Sequence, residues 1–125
     1  MILGIGTDIA KLARFERALV RHGARFPERL LGETELMRFG QHSYPAAYLA
    51  KRFAAKEAFL KALGTGLRQG MRWTEIQIVN DAQGRPQLVL SGRAQALAMK
   101  AGVERMHLSI SDESDLAMAF VVLEG

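Results

Sequence analysis

Glu57 lies in an otherwise apolar helical pattern, and the chemistry open to this chain starts there. At about 100° per residue, Ala46, Leu49, Ala50, Phe53 and Leu60 fall on one face of a segment over residues 46–63, and Glu57 lands among them. An ionised carboxylate in such a face is costly unless it meets a cation, a metal or a hydrogen-bond network. Lys61, four residues on, could pair with it as an ordinary helix-surface ion pair. A metal site needs a second carboxylate. Asp8 offers one, on a strand face that Gly4 and Gly6 leave nearly bare, and glycines beside a carboxylate give a ligand room to approach. One Asp and one Glu beside lysines suit Mg²⁺, which takes one or two protein carboxylates and completes its shell with water and phosphate oxygens. The alternative for Gly4 to Asp8 is a tightly packed strand end with an Asx turn. A third element is the run Met106 to Glu113. There Leu108 and Ile110 point one way, while His107, Ser109 and Ser111 share the face that could bind phosphate or ribose, or simply face water.

The elements that must position these residues are legible from periodicity and punctuation. Residues 2–9 alternate as a strand, with Leu3, Ile5, Thr7 and Ile9 on one face and Gly4, Gly6 and Asp8 on the other. Helical spacing follows from about Leu12 to Val20, stopped by Gly23, and a loop is expected through Phe26 and Pro27. Glu33 to Phe39 reads as a short helix. A long one opens after Ser43-Tyr44-Pro45 and ends at Leu63, with Gly64 in the left-handed cap position. Strands around Ile76 to Ile78 and Leu88 to Leu90 flank the turn Asp81 to Pro86 as a hairpin. Ser91 is a suitable N-cap for a helix over Arg93 to Lys100, which Gly102 ends. Met106 to Ser111 and Leu116 to Leu123 close the chain as two strands, the second apolar enough to be central. The fold class is therefore α+β, one domain over residues 1–125, with a mainly antiparallel sheet packed against a long central helix.

Composition narrows the function. With 125 residues and 49% hydrophobic content, the chain can build one core, yet it buries only roughly two-thirds of its surface, so oligomerisation would help it. It has no cysteine, which removes disulfides and thiolate chemistry and favours a hard cation over zinc. No apolar stretch approaches the ~20 residues of a transmembrane helix, and the start lacks the basic region and cleavage pattern of a signal peptide, so a cytoplasmic protein without membrane partner is expected. The 17 Lys and Arg outnumber the 13 Asp and Glu, giving +4 and pointing to an anionic partner. That charge is one-sided. Lys11, Arg14, Arg17 and Arg21 fall on one side of the first helix, opposite Leu12, Phe15 and Leu19, with Arg25 just beyond Gly23. Without a nucleic-acid motif or an aromatic platform beside the arginines, an acidic protein fits this face better than nucleic acid or membrane.

In their order and spacing, these segments resemble the holo-[acyl-carrier-protein] synthases, a family of 4'-phosphopantetheinyl transferases. The resemblance rests on Gly4-Ile5-Gly6-Thr7-Asp8-Ile9, on Lys51-Arg52-Phe53-Ala54-Ala55-Lys56-Glu57-Ala58 with Lys61-Ala62, on Gly64-Thr65-Gly66, and on His107-Leu108-Ser109-Ile110-Ser111-Asp112-Glu113. It implies that Asp8 and Glu57 hold Mg²⁺ against the pyrophosphate of coenzyme A. It makes Arg52 and Lys61 phosphate ligands, sets His107 near the phosphates, and places the turn containing Gly64 and Gly66 near the nucleotide end. Ser109 and the turn Gly84-Arg85-Pro86 would contribute further contacts. Glu57, Lys61 and His107 are the catalytic candidates; the proton acceptor could be Glu57, a metal-bound hydroxide or His107. The family implies an α+β fold, a homotrimer with sites between subunits, and acyl carrier protein as the acidic partner of Arg14, Arg17, Arg21 and Arg25. Fatty acid biosynthesis is the expected setting. A basic nucleic-acid module and a magnesium-dependent nucleotide hydrolase using the same two carboxylates are the rival readings.

Overall fold

The computed structural model describes all 125 residues. In chain order the elements are β1 (Ile2–Lys11), α1 (Leu12–His22), α2 (Arg25–Leu30), α3 (Glu33–Phe39), α4 (Pro45–Leu63), β2 (Ile76–Asn80), β3 (Pro86–Leu90), α5 (Gly92–Lys100), β4 (Arg105–Asp112) and β5 (Leu116–Glu124). A single 3-10 turn, Trp73–Glu75, precedes β2. The strands form two antiparallel sheets: a three-stranded one in the order β1-β5-β4 and the separate hairpin β2-β3. The apolar run Leu116 to Leu123 is central, as its composition predicts. α4 lies across the inner face of the larger sheet, and the buried core gathers around it.

Three expectations about the helices are corrected. α4 is buried on most sides, with Tyr48, Ala54, Ala58, Phe59 and Ala62, outside the expected face, buried like Leu49, Ala50 and Leu60 within it. The single apolar stripe inferred from spacing is too narrow, because small alanines let the sheet close over what periodicity alone would assign to an open side. The segment through Phe26 and Pro27 is not loop but the short helix α2, seated by tertiary contacts that a six-residue helix needs. Ser91 does precede α5, but its side chain makes no capping bond. Instead the Glu75 carboxylate accepts the main-chain N–H groups of Arg93 (3.2 Å) and Ala94 (3.3 Å).

The glycines of β1 serve packing. A Cβ on Gly6 would overlap the Ala58 carbonyl oxygen and stand 2.7 Å from Ala62 N, and one on Gly4 would overlap the Ala62 carbonyl oxygen. The bare strand face is therefore filled by the α4 backbone and is not an opening for a ligand. The opposite face of β1 carries Ile5 and Ile9, 62% and 63% exposed, and it continues across the sheet through Met118 and Phe120, 44% and 42% exposed. Gly64 ends α4 in the left-handed conformation (φ +84°), its N–H donating to the Leu60 carbonyl at 2.9 Å.

Candidate active site

Close packing of β1 on α4 brings Asp8, Glu57 and Lys61 together. The Lys61 ammonium donates to Asp8 Oδ1 at 3.1 Å and to the Thr7 carbonyl at 3.0 Å. It bridges the two elements, so of the open readings for Lys61 the ion pair runs across to the strand and not along the helix to Glu57. Asp8 Oδ2 is buried and has no hydrogen-bond partner. Glu57 is half-buried. Burial first, and then the negative charge of Asp8, push its carboxyl above the ordinary range, while Lys61 and Arg14 pull the other way. The exposed guanidinium of Arg14 also stacks over the Phe53 ring at 4.8 Å, so this arginine of α1 belongs to the edge of the carboxylate cluster as well as to the basic face.

These residues fit a divalent cation. An orphaned carboxylate oxygen and a second carboxylate, mutually repelling, are the donor set that a hard metal relieves. No group of three or more His, Cys, Asp and Glu side chains could hold a metal. That suits an ion that keeps water and phosphate oxygens in its shell rather than an all-protein cage.

The other expected site residues lie elsewhere on the chain. Arg52 is 140° round α4 from Glu57 and about 7.5 Å along it. It is 8% exposed, packs 3.8 Å from the Tyr48 ring centroid, and donates to Asn80 Oδ1 at 3.0 Å, while its Nε has no partner. It helps line a polar cavity of about 310 Å³ with Arg38, His42 and Lys51. His107 and Ser109 lie on the outer face of the sheet, beside the exposed apolar residues. His107 Nε2 is 2.9 Å from Glu124 Oε1, and Arg105 Nε donates to the same oxygen at 3.0 Å. Arg105 and then His107 hold the Glu124 carboxyl at about 2. Asp8 and His107 are separated by two strand spacings and three residues, roughly 14 Å, and face opposite ways. Gly64 and Gly66 follow directly on the Lys61 turn, both at positive φ. Arg17, Arg21 and Arg25 are exposed as expected. The arginines have aromatic neighbours, but Phe26, Phe15, Phe53 and Trp73 form a continuous, largely covered row under α1 and α2 rather than a presented platform.

Sequence reasoning missed a buried ion pair. The Lys56 ammonium, with no exposure, donates to Glu35 Oε1 (2.7 Å), the Leu30 carbonyl (2.6 Å) and the Trp73 carbonyl (3.0 Å). Glu35 also accepts from Gly32 N and Ile78 N, both at 3.0 Å. Burial pulls the Lys56 ammonium below its ordinary range, and Glu35 opposes that. The available signal was a lysine between Ala54, Ala55, Ala58 and Phe59, which demanded a buried partner. The Tyr48–Arg52 contact was likewise open to an i,i+4 argument.

Comparison with known proteins shows the family. The profile of the 4'-phosphopantetheinyl transferase superfamily matches residues 4–121, and the chain belongs to that superfamily. Within it, the chain is 53% identical over 124 residues to a holo-[acyl-carrier-protein] synthase of Vibrio parahaemolyticus, covering 99% of this chain and 98% of that one. The crystal structure of the Neisseria meningitidis holo-[acyl-carrier-protein] synthase superposes with a TM-score of 0.95 at 46% identity, each chain covered completely. The Bacillus anthracis synthase, solved in complex with CoA (3',5'-ADP), superposes with a TM-score of 0.82 at 38% identity over 98% of this chain and 96% of that one. The α+β class with an antiparallel sheet against a central helix is thereby shared with solved relatives.

Proposed function

We propose that this chain transfers the 4'-phosphopantetheine group of coenzyme A to a serine of apo-acyl carrier protein, releasing 3',5'-ADP, in support of fatty acid biosynthesis. The observation that carries the reading is the buried, unpartnered Asp8 oxygen beside Glu57, with Lys61 joining their two elements. Full-length similarity to named synthases supports the substrate pair. In the reaction the serine oxygen forms a bond to the phosphorus attached to pantetheine, the bond from that phosphorus to the departing 3',5'-ADP oxygen breaks, and the serine proton passes to a base.

Asp8 and Glu57 would hold Mg²⁺, which supplies charge neutralisation for a pyrophosphate. Lys61 keeps a positive charge at the leaving side, where negative charge builds, and anchors Asp8 against α4. Arg52 offers a buried cation with a free Nε for a second phosphate of coenzyme A, in a cavity already lined by Arg38, His42 and Lys51. Gly64 and Gly66 shape the turn beside Lys61, and Gly84-Arg85-Pro86 borders Asn80, whose amide donates to the Gly84 carbonyl. Within one chain Glu57 is the base in the cluster; His107 and Ser109 reach it only from a second copy.

That separation supports a homotrimer with sites shared between subunits. Ile5, Ile9, Met118 and Phe120 form an apolar outer sheet face beside His107 and Ser109, and covering it with neighbouring copies sets those polar groups at an interface. The carrier would dock on Arg14, Arg17, Arg21 and Arg25, adjacent to the carboxylate cluster because Arg14 borders it. The 125 residues act as one domain. No helix is long and apolar enough to cross a membrane, and the cytoplasm, where carrier and coenzyme A meet, is the proposed site of action. Mass spectrometry of apo-carrier incubated with the chain, coenzyme A and Mg²⁺ tests the reading. A phosphopantetheine adduct that requires the metal and vanishes in Asp8→Ala is expected. Its absence with wild-type protein, or release of 3',5'-ADP without carrier, would overturn the assignment.

A further inference from the structure

A groove of about 1210 Å³ runs beside the basic face. One wall is α2, with Phe26 and Arg29; the other is the segment Met71 to Thr74, with Trp73; Ala18 and His22 of α1 close the end. Neither wall holds itself. α2 is six residues long, too short to be stable alone, and the facing wall is a single 3-10 turn. Both are tied to one atom. Lys56 Nζ donates to the carbonyl of Leu30, the last residue of α2, and to the carbonyl of Trp73, the first residue of the 3-10 turn. Its third donor goes to Glu35 of α3, whose other oxygen accepts from Ile78 N in β2. Helix C-terminal carbonyls lack internal partners and favour a cation, so the ammonium also caps α2.

We infer that Lys56, held by Glu35, is a positioning residue that sets the separation of the two groove walls and so the seat of the carrier protein. The inference rests on the proposed docking of carrier at the basic face. The groove is suited to that partner: its apolar floor of Phe26, Met71 and Trp73 is rimmed by Arg25, Arg29 and Arg72 against one acid, Glu28, and this net positive rim complements an acidic helix with an apolar side. Coenzyme A, by contrast, is read at Lys61 and Arg52, neither of which lines this groove.

Lys56→Met combined with Glu35→Gln tests it. The pair removes both buried charges together and leaves an amide oxygen to accept from Ile78 N, so the fold is spared an unpaired ion. Trp73 is the only tryptophan, so its emission reports the groove directly. The folded variant should show red-shifted, more quenchable Trp73 emission and a carrier KM raised about tenfold, with the coenzyme A KM unchanged. A folded variant with wild-type emission and wild-type carrier KM would overturn the inference, and so would equal rises in both KM values. Lys56→Arg, which keeps a charge for Glu35 but presents a planar fork to the two carbonyls, is measured in parallel. If neither variant folds, the ammonium serves the whole fold and a role confined to the groove is refuted. Arg17→Glu with Arg21→Glu in the same assay separates the two ideas. An unchanged carrier KM there removes the docking reading itself. A raised one there, with wild-type behaviour in the Lys56 variants, removes only the tie.

Discussion

Replacing Gly6 with alanine should separate β1 from α4 and slow transfer without touching a single reactive group. The added Cβ would overlap the Ala58 carbonyl oxygen and lie 2.7 Å from Ala62 N, both main-chain atoms of a buried helix that no rotamer change can move aside. Strand and helix must therefore part by about 1 Å, and overpacking of this kind costs about 1–3 kcal/mol. For a chain of this length each kcal/mol corresponds to roughly 4 °C in Tm, so a fall of about 4–12 °C is expected. Asp8 rides on the strand and Glu57 and Lys61 on the helix, so the same displacement opens the carboxylate cluster. Misplacement on the order of 1 Å at a reacting centre costs about 10²-fold in rate. The assay is thermal unfolding followed by circular dichroism, together with turnover at saturating coenzyme A and carrier over a range of Mg²⁺ concentrations. Gly40→Ala is the control, because its Cβ would meet only Met37 O at 3.7 Å and Leu36 O at 3.8 Å, both ordinary contacts, and both readouts should stay near wild type. Gly6→Ala with wild-type Tm and turnover would refute the claim that glycine at this position holds the site closed.

Glu57→Gln should abolish transfer yet melt higher than wild type at neutral pH. The folded-state pKa of Glu57 is raised, so folding penalises its ionised form: stability falls as pH rises from the ordinary 4.5 through the higher folded value, and the penalty persists above it. The two proteins should therefore converge near pH 4, and added Mg²⁺ should raise the Tm of wild type only; a lower Tm for Glu57→Gln at pH 7 would contradict this. Ile5→Asp with Phe120→Asp should convert the proposed trimer into inactive monomer by light scattering, whereas wild-type monomer with full activity at micromolar concentration would sink the shared-site reading. Arg17→Glu with Arg21→Glu should raise the carrier KM with kcat little changed, and added salt should mimic it because exposed charges are screened over about 8–10 Å. Arg14 is left intact there, since its charge also bears on Glu57.

Much of the local structure was legible because its causes are local. Gly23, Gly64 and Gly102 end helices where left-handed or open backbone is needed, Pro45 begins α4, and alternation in Met106 to Ser111 sorted His107 and Ser109 from Leu108 and Ile110 correctly. The nearness of Asp8 and Glu57 was also foreseen, because two carboxylates in sparse or apolar patterns each demanded an explanation, and the resemblance of ordered motifs joined them. What failed depended on partners distant in the chain. Gly4 and Gly6 left room for a helix some fifty residues away, and no strand pattern can tell that from room for a ligand.

Lys61 could have paired along its own helix and instead crosses to Asp8, because tertiary packing offers a partly buried carboxylate and the Thr7 carbonyl at once. α2, only six residues long, buries Pro27 and Leu30 and has its last carbonyl bonded by Lys56 from another element. The residue types able to perform phosphoryl transfer, the helix that carries most of them and the strands that flank it follow from composition, spacing and punctuation, since propensity, capping and periodicity act over a few neighbouring residues. Which of those residues meet is a different matter: Asp8 joins Glu57 and Lys61, while Arg52 and His107 stand apart on other faces of the chain. That outcome comes from the registry of β1 against α4 and from desolvation of charges by segments remote in sequence, neither of which exists until the chain has packed.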